Sequence, residues 1–401
     1  MARRGLLWLT VVCIAGVVSL DLPGASAPST SDRQAWLQTA TADLLRGCRV
    51  RANDGTWLYT PDGKGNYRAL WTRDFAYMVE HASDLMPDAD IEACLRYLIR
   101  GIRADGATPD RVQPDGIAVY TGGPPEKPLG EPNLDNGPFL VIAADVYLRR
   151  QPAARAAQLY GEWRPALQRA LRWVPLSPGG LVWNDPTRPH SPYGFTDTIG
   201  KTGELLFESL LYWTACRRLA DWESRVASRS GDAREWRSRG RAVERRLSEA
   251  LWDSEAGVFL AATKDCRQID VWGNAYAVWL DFPLGRKRAR ILRFFADRRA
   301  EFLWRGQTRH LVKGEHWQRL LAPVEPERYQ NGAYWATASG WVLHAVAQSD
   351  RVAAEKLWVE LIADFEEGGI CECVNEGYRQ LPSYVVSATN PLAAARRLKL
   401  R

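Results

Sequence analysis

Histidine is scarce in this 401-residue chain: there are five, none at the spacing of an HExxH helix, which excludes a zinc hydrolase of that type. Cysteine supplies no zinc framework either, because Cys371-x-Cys373 lacks a second CxxC and a neighbouring histidine cluster. A dominant charge is also missing. Lys and Arg number 53 against 47 Asp and Glu, a net charge of +6, and the basic residues are spread along the chain, so a nucleic-acid partner gains little support. Gly63-x-Gly65 is not followed by a strand–helix unit of the right spacing, which excludes a dinucleotide fingerprint. Asp62-Gly-Lys-Gly-Asn66 lacks the ordered acids and terminal Glu of a calcium loop and reads as a turn. No Pro-, Gly- or Ser-rich linker divides residues 28–401, which are expected to form a single domain. A composition of 46% hydrophobic and 25% charged residues excludes disorder, a collagen-like chain and a small disulfide scaffold.

The N-terminus has its own pattern. Arg3-Arg4 precedes an apolar run from Leu6 to Leu20, and Ala25-Ser26-Ala27 closes it, which matches a secretory signal over residues 1–27. The run is short for a membrane span. Pro28 is a poor residue to follow a cleavage site, so an uncleaved anchor is the alternative to a periplasmic or secreted protein. No integral span is expected once the signal is removed. Cys13 lies inside the run, and the six other cysteines allow disulfides in an exported chain, although Cys94 and Cys216 sit in apolar helical patterns typical of buried thiols.

What is abundant is helical periodicity. Amphipathic patterns fall near 32–52, 89–104, 137–151, 153–174, 199–222, 232–252, 285–299, 333–349 and 351–366. Short strands are expected only at 180–183 and 257–261. A recurrence runs through the pattern: an Asp or Asn flanked by aromatic or small residues where helices are expected to start. Asp74, Asn136, Asp197, Asn274, Asn331 and Asn390 follow one another at 62, 61, 77, 57 and 59 residues. Recurrence of this kind marks a repeat architecture. Six helix pairs closing on themselves make an all-α (α/α)6 toroid with a few short β-hairpin loops. Singly, each Asp or Asn is an ordinary N-cap. Six on one face imply a ligand funnel, since helix N-termini present free N–H groups and a positive dipole end.

On these residues the chain resembles the six-hairpin glycosidases, the group of glucoamylases, trehalases, neutral invertases and processing α-glucosidases. Leu70-Trp-Thr-Arg-Asp-Phe75 is similar to their W-x-R-D segment, which grips hydroxyls of the terminal sugar. Tyr193-Gly-Phe-Thr-Asp197 stands where such enzymes carry the general acid, with Thr198 departing from the usual next residue. Tyr329-Gln-Asn-Gly-Ala-Tyr-Trp335 is similar to an aromatic segment before a late inner helix, and Cys371-Glu-Cys-Val-Asn-Glu376 falls where the second carboxylate is expected. The resemblance covers most of residues 35–395 in motif order and spacing.

The implied chemistry is cleavage of a terminal sugar from an oligosaccharide or glycoconjugate, without cofactor or metal. Glycoside hydrolysis takes two carboxyls, and in inverting enzymes they stand about 6.5–9.5 Å apart with a water between. Asp197 is the expected acid, its pKa raised if Trp183, Tyr193 and Phe195 exclude water, and Glu372 the expected base with Glu376 as rival. Glu204, placed inside a helix, is a weaker candidate. Arg73 and Asp74 suit vicinal hydroxyls, although an Arg–Asp ion pair at a helix start is the simpler reading. Among the eighteen tryptophans, Trp71, Trp183, Trp272 and Trp335, with Tyr334, fall beside helix starts where sugars could stack. Asp135, Asn136, Asn274 and Asn331 complete the hydroxyl-binding set. Lys201, expected one turn beyond Asp197, would neutralise a carboxylate or contact an acidic sugar. Two rivals stand: a polysaccharide lyase using His190, His310, His316 or His344 with Tyr193 or Tyr334, and a carbohydrate-binding protein without turnover.

Overall fold

The structure is a computed structural model that describes residues 30–225 and 230–400. The signal segment expected at 1–27 lies outside the described residues. Twelve helices appear among them: α1 (Thr30–Gly47), α2 (Thr72–Ala82), α3 (Asp88–Arg100), α4 (Asn136–Arg150), α5 (Ala153–Trp173), α6 (Leu206–Arg225), α7 (Ser230–Ala250), α8 (Val271–Trp279), α9 (Lys287–Asp297), α10 (Ser339–Ala347), α11 (Arg351–Gly368) and α12 (Val386–Leu398). The even-numbered helices pack side by side in the order α2–α4–α6–α8–α10–α12, and α12 returns to α2 to close the ring. The odd-numbered helices form the outer layer, α7 against α6, α11 against α10, and α1 against α12. This is the (α/α)6 toroid. Among the described residues no helix is long and apolar enough to cross a membrane.

The two layers differ because their surroundings differ. All nine residues of α8 are buried, since an inner helix touches ring neighbours, an outer partner and the central axis. Outer α7 carries its apolar residues on one stripe, with Trp236, Val243 and Leu247 buried and most of its arginines toward solvent. A ring of six helices leaves space along its axis, and large flat side chains fill it. Tyr77, Phe139, Tyr193, Phe207, Tyr276 and Trp341 meet there, with ring centroids 4.2–6.2 Å apart. Much of the aromatic surplus is therefore core. All six described cysteines are buried and unpaired.

Several expected helix starts are displaced, each for a visible reason. The helix expected from Ile199 begins at Leu206, because Gly203 turns through a left-handed φ of 86° and Gly203–Glu204 pairs with Trp183–Asn184 as a strand. Asp197 is thus no N-cap; it ends a 3-10 turn over Gly194–Thr196. Lys201 and Glu204 lie ahead of α6, not inside it. The helix expected from 333 begins at Ser339, since Tyr334 exchanges backbone bonds of 2.8 Å with Val374 and Trp335 pairs with Thr308. Capping also falls elsewhere: Asp270, four residues before Asn274, caps α8 by accepting the Gly273 amide at 2.8 Å.

Candidate active site

At the end of the ring where the inner helices begin, a narrow cleft of about 40 Å³ is lined by Pro61, Tyr67, Trp71, Arg73, Asp74, Gly194, Phe195, Asp197, Tyr329, Glu372 and Tyr384. This volume is well below the ~300–1,000 Å³ typical of small-molecule sites, so the cleft is tight. Three carboxyl groups face it from three parts of the chain: Asp74 from the first turn of α2, Asp197 from the 3-10 turn, and Glu372 from the strand Cys371–Asn375. That strand pairs with Tyr378–Pro382 in a hairpin, and the backbone of Tyr334 fixes its inner edge.

Each carboxyl has a defined partner. Asp197 Oδ1 accepts from Gln330 Nε2 at 2.8 Å. Gln330 is locked in turn, its Oε1 accepting the Thr198 amide at 2.9 Å and the Thr198 hydroxyl at 2.6 Å. Asp197 Oδ2 faces Gly122, where an added Cβ would stand 3.0 Å away. Tyr384 donates to Asp74 Oδ1 at 2.7 Å. Tyr67 donates to Glu372 Oε1 at 3.0 Å, while Glu372 Oε2 is buried without a hydrogen-bond partner among the described residues.

Arg73 is built differently from the grip expected of it. Its guanidinium is ion-paired to Asp110 and to Asp135, the latter at 3.3 Å, and meets Asn136 Oδ1 at 3.4 Å. Asp135 Oδ2 also accepts the Gly194 amide at 2.8 Å, so this acid ties the Asp197 turn to α2 instead of touching a ligand. Residue 194 must be glycine here, because a Cβ would overlap the Arg73 side chain.

Solved structures share this architecture. A rhamnosidase from Klebsiella oxytoca with rhamnose bound superposes with a TM-score of 0.65 at 15% identity, over 93% of this chain. This chain spans 65% of that rhamnosidase's length. A GH63 mannosylglycerate hydrolase from Thermus thermophilus in complex with glucose gives 0.63 at 18% identity, over 89% of this chain and 99% of that one. A third chain, described only as a glycosidase variant, gives 0.63 at 13% identity, over 93% and 99%. The chain shares its (α/α)6 fold with these glycosidases. No family model and no curated protein sequence matches the chain.

Within this toroid the expected site residues divide. Trp71, Arg73, Asp74, Asp197 and Glu372 line the cleft together, whereas Glu376 is exposed at the hairpin turn and Glu204 is held by Ser177 and Arg246. Lys201 is buried against Glu208 at 2.9 Å and does not line the cleft. Asn274 bonds the backbone of Phe259 and Asp270, Asn331 that of Trp317 and Val324, and Asn136 that of Thr108. These amides brace loops and have little left for hydroxyls. Trp272 is buried, its ring 3.6 Å from His310 between centroids, and Trp335 lies beside it under Phe195 and Tyr329. Trp183 and Tyr334 also stand off the cleft, as do His190, His310, His316, His344 and Tyr193. Sequence reasoning missed Tyr67, Tyr329, Gln330 and Tyr384. Tyr329 and Gln330 lay within the aromatic motif beside Asn331, but nothing in the sequence singled out the other two.

The electrostatics follow from burial. Burial lifts Asp197 to about 7, against the pull of Arg73 and the Gln330 bond. Asp74 rises to about 6 for the same reason, opposed by Arg73 and Tyr384. Glu372, 2% exposed, is pushed well above the usual carboxylate range by burial, with Asp74, Asp197 and Asp62 adding to the rise and the Tyr67 hydroxyl opposing it. Arg73 is the one cation lining this cleft, and its charge is already shared with Asp110 and Asp135. Arg73→Met is expected to destabilise the protein by about 3–5 kcal/mol, since Asp110 and Asp135 stay buried without this cation. Urea unfolding reads the loss as a lower midpoint at unchanged slope, and an unmoved midpoint would contradict the role given to Arg73.

Proposed function

We propose that the protein is a glycoside hydrolase that removes a terminal sugar from an oligosaccharide or glycoconjugate with inversion. The observation that carries this reading is the meeting of Asp197 and Glu372, distant in sequence, in one buried cleft with aromatic walls. Asp197 is the general acid. Its Oδ1 is occupied by the Gln330 amide, so the proton sits on Oδ2 and passes to the glycosidic oxygen as that bond to the anomeric carbon breaks. Glu372 is the general base: Oε2 takes a proton from a water whose oxygen bonds the anomeric carbon from the opposite face. The step leaves Asp197 ionised and Glu372 protonated, and exchange with solvent restores both. Trp71, Phe195 and Tyr329 wall the sugar, and Asp74 offers hydroxyl acceptors. The fold shared with a rhamnosidase and a mannosylglycerate hydrolase supports the reaction class. A lyase finds no such support, because none of His190, His310, His316, His344, Tyr193 and Tyr334 lines this cleft. Export, with residues 1–27 removed, belongs to the proposal on its N-terminal pattern, and N-terminal sequencing of the native protein tests it.

The pH profile is the direct test of these roles. Activity needs Asp197 protonated and Glu372 ionised, so it falls above about 7 as Asp197 loses its proton. It falls again on the acidic side, below a limb lying higher than an ordinary glutamate would set. The carboxyls interact, so the limbs of kcat/KM belong to the pair and form a narrow bell. A broad plateau reaching below pH 5 would contradict the assignment.

A further inference from the structure

The turn Asp62–Asn66, set aside in the sequence as too poor in acids to hold calcium, sits against the proposed base. Asp62 is 1% exposed and has no cationic partner among its hydrogen bonds. Its Oδ1 accepts the Lys64 amide at 2.8 Å, the Asn66 amide at 3.2 Å and Asn66 Nδ2 at 3.1 Å, and its Oδ2 accepts the Tyr67 amide at 2.9 Å. The turn is sewn to the segment before α12 by Gly63 N–H to Ser383 O at 3.1 Å and Val385 N–H to Pro61 O at 2.9 Å. Tyr67 leaves this turn with its hydroxyl on Glu372 and its ring edge-on to Trp71, at 5.3 Å between centroids.

We infer that Asp62 is a positioning residue: its carboxylate pins the Tyr67 amide, and through that residue it holds the Tyr67 hydroxyl on Glu372 Oε1. The inference rests on the hydrolysis reading above for its catalytic consequence, but not for the link itself. A negative charge here also has a cost, because it works against ionising Glu372. Only a carboxylate accepts with both oxygens, which four inward N–H groups from one short turn require. The groups facing Glu372 are Tyr67 and Asp62 from this turn, Asp74 from α2, Asp197, Tyr329, Tyr384 beside α12, and Cys373 and Tyr378 from its own hairpin. Among them the Tyr67 bond acts on Glu372 more strongly than the Asp62 charge. The two effects have opposite signs, and that makes the inference testable.

The test is a 13C NMR titration of the full chain labelled at glutamate Cδ, with the Glu372 resonance assigned by its loss in Glu372→Gln. Asp62→Asn keeps an oxygen for Lys64 and Asn66 but turns an N–H toward the Tyr67 amide. It is expected to raise the Glu372 midpoint by about one pH unit, a tenfold shift in ionisation, in the same direction as Tyr67→Phe. Asp62→Glu, which keeps the charge and misplaces the acceptor, is expected to move it the same way, and Asn66→Ala, which leaves the Tyr67 link intact, to leave it in place. A midpoint that falls or stays put in Asp62→Asn overturns the inference. Amide exchange in the wild type reads the link without substitution: the Tyr67 N–H is expected to be protected like the amides of α2, and exchange at the rate of an open loop overturns it. Release of sugar is scored separately, so loss of the hydrolysis reading would show there while the midpoints report on Asp62.

Discussion

Asp197→Asn is expected to slow release of sugar from a natural oligosaccharide by about 10²–10⁴-fold, the range that general acid catalysis supplies. Asparagine preserves the Gln330 bond to Oδ1 and the fit against Gly122, so the fold and the cleft should be kept. What is lost is the proton on Oδ2. The loss should therefore depend on the leaving group: an aryl glycoside whose phenolate departs unaided should be cleaved nearly as fast by the variant as by the wild type. The alkaline limb near 7 should vanish with the carboxyl. An equal loss on both substrates would instead place Asp197 in binding.

Glu372→Gln is expected to lose about 10²–10⁴-fold on both kinds of substrate, because the water must be deprotonated whatever leaves. Azide needs no base, and adding it should restore part of the turnover with an inverted glycosyl azide as product. Recovery of that adduct from Glu372→Gln but not from Asp197→Asn would separate the roles. The hairpin should survive the change, since a glutamine still accepts the Tyr67 hydroxyl and the strand is held by its backbone. If Glu376→Gln rather than Glu372→Gln abolished turnover, the exposed hairpin turn would be the reacting residue's place and the cleft assignment would fail.

The toroid was legible because its repeat is written in sequence: Asp or Asn beside aromatics recurs through the chain, and the interval holds two helices. Amphipathic outer helices such as α5 and α7 announced themselves. Inner α8 and α12 showed only through the Asn274 and Asn390 recurrence, since helices buried on nearly every side have no polar face to give a period. The same limit governs the site. Asp197 and Glu372 stood out by motif order, and they meet in the cleft. Asn274, Asn331, Trp272 and Trp335 carried the same motif, but they brace the loops and fill the axis beneath, because aromatics and amides serve packing as readily as sugar binding. Tyr67 and Tyr384 were invisible for the opposite reason: each reaches an acid more than 300 residues away, Glu372 and Asp74, and only the closed ring brings them together.

In the proposed reaction one buried cleft supplies the acid and the base that invert a glycosidic centre. Proton NMR of the wild type with a panel of α- and β-linked oligosaccharides, beside Asp197→Asn and Glu372→Gln, tests it most directly. The first anomer released by the wild type is expected to have the configuration opposite to the substrate bond, and neither variant is expected to release it at a comparable rate. Release of the retained anomer, or undiminished release by the two variants, would contradict it.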